Sequence, residues 1–303
     1  MDRRIKLRHI QAFVEIVRQR SLKKAAERLF LTQPAMSRTL AELEDIAGAA
    51  LLTRGRAGVV LTAQGELLFR FAQSSLADLE RGLAGVAQAD TAPQRLALGV
   101  LPSVATRLMP GVAAELAGLA PALRLTIADG PHDQMTAQLR GGHLDAVIGR
   151  MGAPDTMKGL AFTQLYIESV AIVVRPGHPI LADPDLHRIA DWPVLWPPPW
   201  AAIRPLVDRL LIAQGIPEPQ NRIETVSGAF GRVHVRHSDA VWFISEGVVA
   251  LDLAEGRLTR LPVSTALTEG PVGLMTRAGD RATPETSLLA LAIDRALVRL
   301  GLG

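Results

Sequence analysis

The 303-residue chain contains no cysteine. That excludes disulfides, zinc–thiolate sites and thiol catalysis, and it fits a reducing cytoplasm. Nor is there a stretch of ~18 uninterrupted apolar residues, so nothing reads as a membrane span. The first residues, Met1-Asp2-Arg3-Arg4-Ile5-Lys6, are charged and lead into an amphipathic pattern rather than a secretory leader. Enzyme signatures are missing as well: no Gly-x-Ser-x-Gly elbow, no phosphate loop and no His-Glu-x-x-His. The seven histidines show no metal-ligand spacing. Asp183 and Asp185 share a Pro-bearing loop and read as solvated. No catalytic residue, metal or cofactor is expected.

What is present is an ample apolar fraction, 48%, and an uneven charge. Residues 1–60 carry twelve Lys/Arg against six Asp/Glu, a balance of +6; the remainder carries 21 against 24, a balance of −3. A basic N-terminal module on a slightly acidic body suggests a polyanion partner for that module.

Ile10, Phe13, Val14 and Val17 recur at helical spacing. Ser21 caps a second helix that buries Leu22, Ala25, Ala26 and Leu29. The two alanines allow another helix to cross closely. After the short apolar turn Phe30-Leu31, Thr32 caps a third helix, with Pro34 in its first turn, where a missing N–H costs no bond. Met36, Leu40 and Leu43 face inward; Gln33, Pro34, Ser37, Arg38 and Ala41 face out. That outward face suits a major groove, where Arg reads guanine and Gln reads adenine. Arg54-Gly55-Arg56-Ala57-Gly58 between short apolar runs reads as a hairpin wing, with arginines for phosphate or the minor groove. Thr62 then caps a long helix. Its Phe69, Ala72, Leu76, Leu79, Leu83 and Val86 are spaced as a heptad seam. Burial in its own domain is one reading; pairing with a second copy, which would present two recognition helices to a two-fold DNA site, is preferred. Ala89–Pro93 reads as a hinge.

Four segments resemble the LysR-type family of bacterial regulators. They are Leu7-Arg8-His9-Ile10-Gln11-Ala12-Phe13, Ser21-Leu22-Lys23-Lys24-Ala25-Ala26, Leu31-Thr32-Gln33-Pro34-Ala35-Met36-Ser37-Arg38 and Leu61-Thr62-Ala63-Gln64-Gly65. The resemblance implies base contacts by Gln33, Pro34, Ser37 and Arg38, and phosphate or minor-groove contacts by Thr32, Arg54 and Arg56. It also implies promoter DNA and RNA polymerase as partners, and a homodimer that pairs into a tetramer.

Beyond residue 93 the pattern alternates between strands and helices: Leu96–Val100, a helix through Leu108–Leu119, Leu123–Ile127, the helix Asp133–Arg140, and Leu144–Ile148. A second set comprises Val170–Val174, a helix over Ile203–Ala213, Ile223–Val226, a helix near Gly228–Arg236, and Val241–Ile244. Val272–Met275 and a helix over Leu288–Leu300 end the chain. Such alternation implies parallel sheets with ligands at strand carboxyl ends. The fold class expected is therefore α/β with an all-α N-terminal part. The LysR resemblance refines it to a winged helix-turn-helix over 5–62, a linker helix and hinge over 63–92, and a two-lobed effector domain over 93–303, like a periplasmic binding protein. Lobe one would be 94–163 and 265–303; lobe two would be 164–264.

For the cleft between lobes, Ser103 after the first strand reads equally as an anion contact or a plain N-cap. His132 follows the second strand, where a lone histidine is more often a satisfied residue than a ligand contact. Arg150 follows the third. Arg204 starts a helix after Trp196-Pro197-Pro198-Pro199-Trp200, and Ser227 follows a strand. Phe230 offers an apolar wall, as would Trp242, for which core packing is preferred. Hydroxyls and arginines suit a small carboxylate.

Within the family, Val173-Val174-Arg175-Pro176-Gly177-His178-Pro179, Arg204–Arg209, Ile223–Val226 and Ser238–Ser245 resemble the subgroup that activates protocatechuate catabolism. That implies a carboxymuconate-like or protocatechuate-like inducer. Regulators of sugar or other organic-acid pathways share some of these segments. A solute-binding protein would share the body's fold but lacks a use for the N-terminal module.

Overall fold

The computed structural model describes residues 4–55, 58–87 and 94–302. The chain divides into two compact units, Met1–Ala92 with Arg140–His143, and Pro93–Leu139 with Leu144–Gly303.

In the first unit, α1 (Leu7–Gln19), α2 (Leu22–Arg28) and α3 (Gln33–Ala47) enclose a core of Phe13, Val14, Ile16, Met36 and Leu43. Ala25 and Ala26 are buried there, and their small side chains let α2 sit close to its neighbours. Ser21 accepts from Lys24 N and Thr32 from Ala35 N, so both expected caps form. The wing is a hairpin of β1 (Leu52–Gly55) and β2 (Gly58–Leu61). Gly58 has φ +110°, and a Cβ there would lie 2.5 Å from the Arg20 carbonyl oxygen. Only glycine allows that approach, which lets Val59 N donate to Arg20 O at 3.1 Å and anchors the wing to α1.

The first residues of the expected seam, on α4 (Ala63–Ala87), pack on their own domain. Phe69 meets Phe13 edge-on at 6.2 Å, Ala72 is buried, and Leu76 packs on the same core. These three residues therefore close their own domain. Further along the stripe Leu79 is exposed, as are Leu67 and Phe71 on a neighbouring face. The side chains of Leu83 and Val86, and the hinge at 89–93, lie outside the described residues.

The second unit holds two five-stranded sheets. In lobe one, β3 (Arg95–Val100), β4 (Arg124–Ala128) and β5 (Ala146–Arg150) are parallel, as the βαβαβ pattern requires. The sheet is completed by β6 (Leu160–Glu168), with β12 (Gly270–Arg277) running antiparallel between β5 and β6. The sheet is thus mixed rather than parallel. α5 (Pro102–Arg107), α6 (Met109–Leu119) and α11 (Pro284–Leu300) cover one face, and α7 (His132–Arg140) the other.

Lobe two contains β7 (Val170–Val174), β8 (Val194–Trp196), β9 (Arg222–Glu224), β10 (Val241–Ser245) and β11 (Thr259–Arg260). β8, β9 and β10 are parallel, and β7 runs antiparallel to β10. α8 (Arg204–Ala213) packs on one face; α9 (Gly228–Arg236) and α10 (Glu246–Ala254) pack on the other. The chain passes between lobes at 168–170 and 268–270, where Val170 N donates to Thr268 Oγ1 at 2.8 Å. Both crossings come later than the expected breaks at 163 and 264, because β6 pairs with β12 as far as Glu168.

Candidate functional site

On α3, Gln33, Pro34, Ser37, Arg38 and Ala41 are exposed together while Met36, Leu40 and Leu43 are buried. The helix carries no acidic residue in its first turn. It thus presents an amide, a hydroxyl and a guanidinium beside its partly positive N-terminus. Thr32, which caps the helix, is exposed at the same end. Arg54 lies on the first wing strand; Arg56 falls outside the described residues.

The second site is a cavity of about 70 Å³ between the lobes. Strand ends and the loops that follow them build it, as open α/β sheets favour. Lobe one supplies Ser103 at the start of α5, His132 at the start of α7, and Arg150 at the end of β5. Lobe two supplies the apolar wall of Trp200, Ile203, Val226, Ile244 and Val248, together with Ser245.

Arg150 is 4% exposed. Its Nε donates to Ser245 Oγ at 3.4 Å, and its Nη2 lies 3.5 Å from Glu168 Oε2. Among the described residues Nη1, Nη2 and Glu168 Oε2 have no hydrogen-bond partner. Gly247 N donates to the other Glu168 oxygen at 3.0 Å. A buried guanidinium with donors to spare, on the wall of a cavity, can pair with an anion. Burial pushes the Glu168 carboxyl above its ordinary range, against the pull of Arg150, the Ser103 hydroxyl and Gly247 N–H. Burial lowers the Arg150 pKa, with Glu168 opposing. Tyr166 is raised by burial first and by Glu168 second, and its hydroxyl has no hydrogen-bond partner.

Three expected contacts are not on the lining. Arg204 stacks over the Trp196 ring at 5.5 Å and donates to Asp208 at 2.7 Å, Glu218 at 2.6 Å and Pro197 O at 3.3 Å. It clamps the start of α8 to the proline loop, off the cavity lining. Ser227 caps α9 by accepting from Phe230 N, and Phe230 stacks on His234; neither is on the lining. Trp242 is a core residue under Gly231. Conversely, Glu168, Tyr166 and Ser245 escaped sequence reasoning. The available signal was a lone carboxylate breaking the apolar run from Leu165 to Val174.

Comparison with known proteins identifies the architecture. The LysR substrate binding domain profile matches residues 89–297, and that of the bacterial regulatory helix-turn-helix proteins of the lysR family matches 7–66. The chain belongs to the LysR family. This LysR-type regulator is 44% identical to the HTH-type transcriptional regulator PcaQ of Agrobacterium fabrum, over 98% of this chain and 96% of the relative. It is 35% identical to the uncharacterized HTH-type transcriptional regulator YdcI of Escherichia coli, over 98% and 97%. Full-length LysG from Corynebacterium glutamicum with bound effector Arg shares its fold, with a TM-score of 0.68 at 17% identity over 97% and 99% of the two chains. As a LysR-type regulator, the protein is a DNA-binding transcription regulator, and the exposed face of α3 belongs to its DNA-binding module. Among the described residues no helix is long and apolar enough to cross a membrane.

Proposed function

We propose that this regulator controls aromatic-acid catabolism from the cytoplasm by binding an aromatic monocarboxylate of the protocatechuate type between its lobes. The unpartnered Nη1 of buried Arg150 carries the reading. The ligand carboxylate pairs with Arg150, its ring lies against Ile203, Val226, Ile244 and Val248, and Ser103, His132 and Ser245 serve its hydroxyls. Two further observations support this: the likeness to PcaQ over nearly the whole chain, and the subgroup segments in lobe two. With Arg204 engaged elsewhere, the lining offers one guanidinium, which favours a single carboxylate over a carboxymuconate with several. A sugar would need more polar groups than this largely apolar wall provides.

At the promoter, Gln33, Pro34, Ser37 and Arg38 read bases in the major groove, and Thr32, Arg54 and Arg56 hold phosphate or the minor groove. The reader acts as a homodimer through α4, with tetramers and contact with RNA polymerase as further levels of assembly. Exposed Leu67, Phe71 and Leu79 support a second copy as the occupant of that helix.

Calorimetric titration of the full chain with protocatechuate and with carboxymuconate tests the ligand. Binding of protocatechuate, weakened at least ~30-fold by Arg150→Gln, is the expected result, from the loss of ~2 kcal/mol of charge-assisted pairing. Unchanged affinity in that variant would refute the assignment of Arg150.

A further inference from the structure

Behind the cleft lining, against Arg150, lies a buried carboxylate. Glu168 ends β6, where the chain leaves lobe one, and it lies against the same guanidinium that the ligand is proposed to use. We propose that Glu168 is a built-in competitor for Arg150, and that an incoming carboxylate takes its place with uptake of a proton by Glu168. This rests on the reading of Arg150 as the anion contact.

Charge among buried side chains carries the proposal. Arg150 and Glu168 together are neutral. Adding an anion would leave one uncompensated negative charge among buried groups, which is costly. Arg150 is already fully protonated, so it cannot supply the correction. Glu168 can, because burial already favours its neutral form. Among the described residues its Oε2 accepts no hydrogen bond, and it lies 3.5 Å from Nη2 of Arg150, the guanidinium that does line the cavity. Protonated there, it becomes a donor to the incoming carboxylate, and two carboxylates then share one proton over one guanidinium. The charge balances: ligand anion, Arg150 cation and neutral Glu168.

The groups around Glu168 come from every element packed on it. β5 supplies Arg150 and β6 supplies Tyr166, whose neutral hydroxyl has no partner. α5 supplies the Ser103 hydroxyl and Arg107, and α10 supplies Gly247 N–H and the neighbouring Glu246. Glu246 is held charged: against its own burial, Arg260 and Ser169 keep its pKa low. Among the described residues, Arg107 is the further cation acting on Glu168 that could replace the proton. If it moved in, binding would require no proton.

The test is calorimetric titration of the full chain with protocatechuate, in buffers of different ionisation heat, from about pH 6 to about pH 7.5, where the probe's carboxyl stays ionised. Uptake approaching ~1 proton per bound acid is expected, with affinity falling up to ~10-fold per pH unit. Glu168→Gln, which keeps an acceptor for Gly247 N–H, should bind without proton uptake and tighter at the upper pH. His132→Asn should retain the uptake, which separates Glu168 from the titratable side chain on the lining. Wild-type binding without proton uptake, or unchanged uptake in Glu168→Gln, overturns the proposal while leaving Arg150 as the anion contact. Failure of protocatechuate to bind overturns both.

Discussion

Arg150 and Arg204 look alike in sequence, each placed near a strand's end where a ligand could meet it. Their neighbours separate them. Arg204 has Asp208 one turn along its own helix and Glu218 beyond it, so every direction of its fork is answered. Burial would lower its pKa, but those two carboxylates outweigh it and hold it raised. Arg150 has one imperfect ion pair and, among the described residues, a donor, Nη1, without a hydrogen-bond partner. Spacing along a chain shows an i,i+4 Arg–Asp pair such as 204–208, but not whether the pair uses up the guanidinium. Arg204→Ala should therefore leave ligand affinity within ~2-fold and lower stability by about 1–2 kcal/mol, the partners being partly solvated. Parallel thermal melts and titrations of the variant check this. A lost ligand response with an unchanged melt would return Arg204 to the cleft.

At the scale of elements, what was legible followed from local chemistry. The caps at Ser21 and Thr32, the paired alanines of α2 and the two faces of α3 are all set by neighbours within a turn or two. The parallel strands β3 and β5 were legible because burial on both faces makes them continuous apolar runs. β6 was not, since its alternating burial suits an edge strand whose partner, β12, is a hundred residues away in sequence and cannot be seen locally. With β6 unread, Glu168 had no place in the fold, and the carboxylate beside Arg150 went unnoticed. α4 was half legible. Its stripe is real, but a 3–4 spacing does not say which surface it meets. The first turns meet their own domain, and Leu79 is left exposed. A charge at Leu79 and one at Ala72 should then fail differently. Leu79→Asp is expected to give a folded monomer by light scattering and circular dichroism. Ala72→Asp places a carboxylate in the core and should unfold the winged-helix unit, at a cost of several kcal/mol. Dimers persisting in Leu79→Asp would move the pairing surface to Leu67 and Phe71.

At the scale of the whole molecule, a regulator needs its two sites to be coupled, and the lobes contain a plausible lever. Arg150 and Ser103 belong to lobe one, and Ser245 and Gly247 to lobe two. Glu168, which bonds to Gly247 and faces Arg150, sits on the connecting strand. Thr106 Oγ1 also donates to Gly247 O at 2.8 Å, from α5 to the start of α10. An anion that draws Arg150 from Glu168 therefore acts on the point where the lobes are joined, and it can favour one lobe arrangement only by the difference in its affinity for the two. Linkage then fixes a reciprocal result. If protocatechuate changes operator affinity by some factor, operator DNA must change protocatechuate affinity by the same factor, on the order of 5- to 150-fold for typical couplings. The measurement is a pair of titrations of the full chain, acid with and without saturating operator, and operator with and without saturating acid. Equal factors in the wild type, both collapsing towards unity in Arg150→Gln, would place the coupling in the cleft. An operator affinity that responds to the acid in Arg150→Gln as strongly as in the wild type would mean that the signal enters elsewhere.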